Sequence, residues 1–476
     1  MIDKNRENGK IITMIPGAGT SLRGTAYMGI YAGFARTDIT PLLGIGISGY
    51  YVPRFAEGVL DSLEANALAL RCGEKILVFI SVDNCGLAPT CVFDRCRERA
   101  ARAAGTSPDA VFLSATHTHT SPVWGETGDA ASEAYTKWLE HRIADTAAMA
   151  VADLKPARMG SATAYAPHVA FVRRFRMRDG SIRTNPGVNN PKIDCPVGSV
   201  DERVHVLRFA RTDDADILLV HFGNHPDVVG GQRLSADWPG FLRRRTEKAL
   251  DHVKCIFFNG AQGDVNHVNV FPSGGDMNDL TPDFDDVARG YGHARHIGNV
   301  VAGAVLQVFD KVCWTETERL ASTVRKVEIP SNLPSPEELE KARVYAALHR
   351  EGRDDEIPFK GMELTTVVAE AERMLRLEHG PASFGMPMSA AAIGDTALIG
   401  LPGEPFTGIG LALKEAPGWK MVLPCCITNG YEGYFPMKEA YDEGGYEARS
   451  SVYAAGVAEK LIEEGLLLLD GLKAGK

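Results

Sequence analysis

Two histidines one residue apart, His117 and His119, follow the apolar run AVFLSA in the segment SATHTHTSP. On an extended chain, side chains at i and i+2 point the same way. The two imidazoles can share one metal, or one can ligate while the other moves a proton; a pair of polar turn residues is the plainer alternative. A third histidine, His225, stands in the Gly/Asn/Pro turn of VHFGNHPDVVGG, just after DILLV. His221, inside that apolar run, reads as a hydrogen-bonded core residue. Glu404 follows Gly403 in LPGEPF, where a carboxylate must be solvated, paired or bound to metal. Asp264, Asn266 and His267 offer polar groups in the Gly-rich turn of FFNGAQGDVNHVNV, where a ligand can approach the backbone. An ordinary turn closed by Asn and Asp has the same composition. The segment ITNGYEGYFPMKEAYDEGGYE is dense in phenols, with Tyr431, Tyr434, Tyr441 and Tyr446.

These are nitrogen and oxygen donors of borderline hardness, which suit zinc better than calcium or magnesium. Zinc lowers the pKa of bound water to about 7 and polarises a carbonyl, so hydrolysis is the chemistry they point to. Asp237, in LSADWPG, reads equally as a residue orienting a ligand imidazole or as the N-cap of the helix after it. Asp283, Asp285 and Asp286 in TPDFDDVARG lack the glycine and terminal glutamate of a calcium loop and read as the solvated start of a helix. His293 and His296 fall three apart on an expected helix and read as exposed or hydrogen-bonded.

The elements that must hold these residues alternate. The strand-like runs YAGFARTDITP, KILVFISVD, AVFLSAT, DILLVHFGNH, KCIFFNGAQGD, TALIGLPGE and KMVLPCCITNGY each end in a polar cluster, and helical stretches such as FDRCRERAARAAG separate them. That pattern predicts an α/β fold of layered, mixed β-sheets flanked by helices, with the active site at the C-terminal ends of strands. Residues 1–30 read as a flexible leader. Residues 335–380 read as a helical hairpin packed on the main body or on a partner subunit, which makes a homo-oligomer a candidate arrangement. Ser335, Pro336 and Glu338 form its expected capping box, and Gly380 is its expected C′ residue.

Net charge is −10, from 51 Lys and Arg against 61 Asp and Glu, with no basic run carrying interleaved aromatics. That field disfavours nucleic acid and anionic lipid as partners and leaves a small molecule as the expected substrate. Nine cysteines without a C-x-x-C pair exclude a cysteine-type zinc knuckle. No apolar stretch has the length of a membrane span or a signal peptide, so a cytoplasmic location is expected.

The ordered set ARTDITP, SATHTHTSP, NHPDVVGG with SADWPG, GAQGDVN, LPGEPF, and NGYEGYF followed by YE resembles the catalytic domain of neutral/alkaline non-lysosomal ceramidases, from residue 32 to about 455. The resemblance implies a single ceramidase-like domain over 31–476, without the family's C-terminal β-sandwich. It implies one zinc ion per chain, held by His117, His225, Glu404 and Tyr434. His119 matches a substrate-facing histidine, Tyr446 a tyrosine that stabilises the oxyanion, and Arg173 an arginine near the substrate, with Arg174 as its neighbour and fallback. The implied reaction is attack of water on an amide carbonyl, an amidase chemistry without a covalent nucleophile. The chain departs from the family where Asn266, His267 and Val268 replace Ser-Pro-Asn, and where Thr120 and Ser121 replace Ser and Gly. Characterised ceramidases are secreted or membrane-anchored, which sets two other readings beside a lipid amide. One is a zinc enzyme acting on a soluble polar metabolite such as a sugar derivative. The other is a binding protein that keeps the fold without catalysis.

Overall fold

The computed structural model describes residues 29–474. The expected leader lies outside the described residues except at its last two positions, and the first strand opens at Ile30. The chain builds four layers, in the order helices, sheet, sheet, helices. The larger sheet has nine strands; eight run Val253–Asn259, Asp216–Phe222, Arg203–Arg211, Lys155–Tyr165, Ile30–Asp38, Glu64–Cys72, Lys75–Val82, Val111–Ala115, and Cys313–Thr315 is added on Lys155–Tyr165. Both outermost pairs are parallel and the inner pairs antiparallel, so the sheet is mixed, as expected. The second sheet orders Leu320–Pro330, Ser383–Ile393, Thr396–Gly400 and Met421–Cys425, and its last pair is parallel.

Period-two alternation explains the layering. In Glu64–Cys72, Ala65, Ala67 and Ala69 face the helices Thr90–Ala104 and Ala130–Ala152, whereas Leu68 and Leu70 face the second sheet. Small residues on the helix side permit close packing: a Cβ on Gly33 would lie 2.1 Å from the Ala150 carbonyl oxygen. Helices Asp237–Ala249 and Tyr291–Val308 cover the other half of the same face. The far side of the second sheet is closed by Thr407–Lys414 and Val457–Ala474. Sheets buried on both faces need near-continuous apolar strands, which is why runs such as KILVFISV read so clearly.

The larger sheet bends, and at its middle Ile30–Ala32 pairs with Lys155–Ala157 over three residues only. The bend brings strand ends from its two edges together. Asn259 donates from Nδ2 to the Thr116 carbonyl at 3.2 Å, and Ser81 donates from Oγ to the Phe257 carbonyl at 2.6 Å. Cys426, just past the second sheet's edge strand, donates its N–H to the Asn259 carbonyl at 3.0 Å. Three parallel pairs therefore deliver their C-terminal loops to one place.

The hairpin forms as helices Pro336–Arg350 and Gly361–Leu377, with the Ser335–Glu338 capping box in place. The second helix caps at Glu378, so Gly380 falls one position beyond C′. The hairpin packs on the main body: Arg449, on the short helix Tyr446–Ser450, pairs with Glu363 at 3.1 Å and Glu370 at 2.6 Å. The aspartate cluster is not a helix start. Asp283, Asp285 and Asp286 turn a small hairpin between Thr281–Pro282 and Ala288–Arg289, because Arg289 draws Asp285 to 2.7 Å. Among the described residues, no helix is long and apolar enough to cross a membrane.

One buried ion pair ties a helix to the convergent loops. Arg243 meets Asp83 at 2.5 Å, with 1% and 0% of their side chains exposed. Asp83 Oδ2 also accepts the Glu64 N–H at 2.9 Å. Arg243→Met strands that carboxylate and is expected to cost about 3–5 kcal/mol in denaturant unfolding. Arg353→Met, which removes only exposed pairs with Glu351 and Glu356, is expected to leave the midpoint almost unchanged.

Candidate metal centre and active site

His117 lies two residues beyond Val111–Ala115, with φ at +74°. That turn reverses the chain so that its ring faces inward. Its Nδ1 lies 2.6 Å from the Cys85 carbonyl oxygen. A carbonyl only accepts, so Nδ1 donates, and in the neutral ring Nε2 keeps its lone pair. His225 follows Asp216–Phe222 and repeats the device, with Nδ1 donating to the Gln262 carbonyl at 3.2 Å. Glu404 follows Thr396–Gly400 and opens the two-residue strand Glu404–Pro405. Its Oε2 lies 3.3 Å from His117 Nε2 and 3.4 Å from His225 Nε2. The three donor atoms lie within 4.8 Å of one another, and all three residues are buried.

Three donor atoms thus face one another. Burial opposes charge on His117, but Cys85 and Glu404 outweigh it and carry its imidazole well above the ordinary range, so a proton on Nε2 and a cation compete for the place between the rings and the carboxylate. His225 Nε2 is buried and has no hydrogen-bond partner. Burial, and then the charge of Arg173, hold the His225 imidazole well below its ordinary range, so it is neutral, the form that ligates. Such a set suits a divalent cation with a preference for nitrogen and oxygen. The remaining contacts of Glu404 hold its carboxylate in register: Tyr431 donates to Oε1 at 3.0 Å and Gln262 to Oε2 at 3.3 Å.

Tyr434 stands beside Glu404 through the backbone, because Glu404–Pro405 and Tyr434–Phe435 pair as parallel strands. Burial, and then Glu404, push its hydroxyl well above the ordinary phenol range, while Arg173 hydrogen-bonds to it. Arg173 does not line the open cavity. It lies behind Tyr434, pairs with Glu447 at 2.7 Å and donates to the Gly263 carbonyl at 2.7 Å. Arg174 points to Glu443, at 3.1 Å. Tyr446 packs edge-on to Tyr434, with ring centroids 5.5 Å apart, and hydrogen-bonds to Tyr51. His119 turns its Nε2 to within 3.2 Å of His117 Nε2. Burial holds its imidazole down to about 3.

His117, His119, Glu404, Tyr434 and Tyr446 share a cavity of about 840 Å3. Tyr50, Tyr51 and Tyr431 add three more phenols to its wall, and Arg376 and Leu377 of the hairpin reach its rim. Asp264, Asn266 and His267 are not brought to it. Asp264 Oδ1 accepts from Thr407 N at 2.7 Å and Oγ1 at 2.8 Å, which fixes the chain just after Glu404. Asn266 donates to Asn185 at 2.9 Å. His267 donates from Nε2 to the Ala288 carbonyl at 2.8 Å and lines a separate cavity of about 520 Å3 with His293 and His296. His221 is a core residue as expected, bonded to the Pro424 carbonyl at 2.7 Å. Asp237 acts on backbone, accepting the Val228 and Val229 N–H groups at 3.0 and 2.8 Å, so it shapes the loop after His225 without touching the ring.

Several residues of the site carried no distinct signal. Gln262, Tyr50 and Arg376 sit in stretches that read as turns or solvated helix, and only the tyrosine density around 431 hinted at Tyr431. Gly49 is another: its φ is +106°, and a Cβ there would lie 2.8 Å from the His119 ring. Gly49→Ala is expected to cost of order 1–3 kcal/mol in unfolding measurements and to displace His119, visible in a crystal structure of the variant.

No family model matches the sequence, and no curated protein matches it. Solved structures do. The neutral ceramidase from Pseudomonas aeruginosa superposes with a TM-score of 0.71 at 18% identity, covering 94% of this chain and 75% of that one. A ceramidase complexed with C2 gives a TM-score of 0.67, also at 18% identity, covering 94% and 76%. From Ile30 to the last helix, this chain has the fold of the neutral ceramidases.

Proposed function

We propose that this chain is a zinc-dependent amide hydrolase whose metal is held by His117, His225, Glu404 and Tyr434. The observation that carries the reading is the meeting of His117 Nε2, His225 Nε2 and Glu404 Oε2, from three distant segments, with both rings held from outside by backbone carbonyls. Bound zinc supplies Lewis acidity toward a carbonyl and toward water. The chain supplies the rest. His119 Nε2 faces the centre and takes the proton of the attacking water, then returns it to the leaving amine. The Tyr446 hydroxyl, at the cavity wall, donates to the carbonyl oxygen as negative charge develops. Arg173 holds the Tyr434 phenol from behind and is itself fixed by Glu447. The fold shared with ceramidases supports the same chemistry.

The cavity favours a compact amide over a long lipid. Its volume of about 840 Å3 falls within the range of small-molecule sites, and its five phenols and Arg376 alternate with Leu87, Leu377, Phe384 and Val452. An N-acylated polar metabolite, a sugar derivative included, meets both kinds of surface. A panel of N-acyl sphingoid bases, N-acyl amino acids and N-acetylated amino sugars separates the substrates. Turnover of none of them by the zinc-loaded protein would turn the reading toward a binding protein.

Chelation is expected to abolish turnover and zinc to restore it, and His225→Ala is expected to lose metal, read by elemental analysis. A His225→Ala variant with one tightly held zinc would overturn the ligand assignment. Tyr446→Phe is expected to keep its metal and to lower kcat by roughly a hundredfold, with KM little changed.

A further inference from the structure

His119 is the one histidine of the centre whose Nδ1 meets no backbone carbonyl. That nitrogen is buried and has no hydrogen-bond partner at ordinary length. Facing it, at 3.5 Å, is the Asp227 carboxylate oxygen Oδ1. Asp227 is gripped from its other sides. Tyr50 donates its hydroxyl to Oδ1 at 2.6 Å, and Arg289 donates from Nε to Oδ1 at 2.9 Å and from Nη2 to Oδ2 at 2.7 Å. Arg289 is anchored in turn by Asp285, at 2.7 and 2.8 Å. Arg54 stacks on Tyr50, with Cζ 3.7 Å from the ring centroid, and donates to the His119 carbonyl at 2.7 Å. The same assembly therefore holds the backbone of His119 and the carboxylate beside its ring.

We propose that Asp227 is the positioning residue of His119, accepting from Nδ1–H and thereby keeping the Nε2 lone pair on the side of the reacting centre. The inference rests on the proton-transfer role given to His119 above. His117 and His225 are locked by carbonyls, which suits rings that stay neutral. A ring that takes up a proton at Nε2 and gives it to a leaving amine carries a transient positive charge, and a carboxylate stabilises that charge where a carbonyl does so weakly. Asp227 stays ionised throughout, and no proton passes to it. At 3.5 Å the pair is longer than a hydrogen bond, and the proposal expects it to tighten when substrate binds. Arg289, Asp285 and the small hairpin that carries them are thereby part of the apparatus that aims His119.

The test compares wild type, Asp227→Asn, His119→Gln, His119→Ala and the double variant Asp227→Asn with His119→Ala. Imidazole nitrogen NMR on isotope-labelled, zinc-loaded protein at one alkaline pH reads the tautomer, with His119 identified by its loss in His119→Gln. The proposal expects the Nδ1–H tautomer in wild type and its loss or mixing in Asp227→Asn, with zinc content intact. A His119 protonated at Nε2 in wild type, or a tautomer unmoved by Asp227→Asn, overturns it. On whichever amide of the panel is turned over, Asp227→Asn is expected to lower kcat at least about tenfold with KM unchanged, and to have no further effect in the His119→Ala background. A full additional loss in that background marks Asp227 as merely structural and also overturns the proposal. Unimpaired turnover by His119→Ala would instead sink the proton-transfer role, while the NMR result would still stand for or against Asp227.

Discussion

Everything in the site follows from one electrostatic constraint: two imidazole nitrogens and a carboxylate oxygen are buried together, and only a positive charge among them, a proton's or a metal's, lets them stay so. Each group alone would be costly to desolvate, and together they repel unless a cation sits among them. The Cys85 and Gln262 carbonyls enforce the constraint, since each takes an Nδ1 proton on the outer side and so turns Nε2 inward. Those carbonyls belong to loops that follow two other strands, Lys75–Val82 and Val253–Asn259. The centre is therefore a property of five strand ends at once.

The bent sheet is what makes such a meeting possible. In a flat sheet, its two parallel edge pairs would place their loops far apart. The curvature of the sheet brings its two edges together, and the second sheet adds Glu404 and Tyr434 from a third direction. Buried polar links such as Asn259 to Thr116 and Arg243 to Asp83 then hold the loops where the packing has brought them.

Much of this was legible in the sequence because buried strands and polar strand ends are local features. AVFLSAT, DILLVHFGNH and TALIGLPGE announce both the strand and the residue displayed after it, so His117, His225 and Glu404 stood out. The hairpin was equally plain, because a capping box and a closing glycine lie within a few residues of the helices they bound. Asp264, Asn266 and His267 looked similar in sequence, yet their side chains are used by Thr407, Asn185 and Ala288. Whether a turn residue faces a cavity or its neighbours depends on chain that arrives from more than a hundred residues away, as Thr407 does for Asp264. The same holds for Asp227, whose partners Tyr50 and Arg289 arrive from 177 and 62 residues away along the chain.

The hairpin over the cavity has a further consequence. Its second helix sends Arg376 and Leu377 to the rim but contributes nothing to the cluster of His117, His225 and Glu404, and it is moored by Arg449 next to Tyr446. Part of the cavity rim is thus carried on a stretch of chain separate from the three donor residues. Substitutions at those two positions can reshape the mouth of the cavity while the donor atoms beneath keep their places.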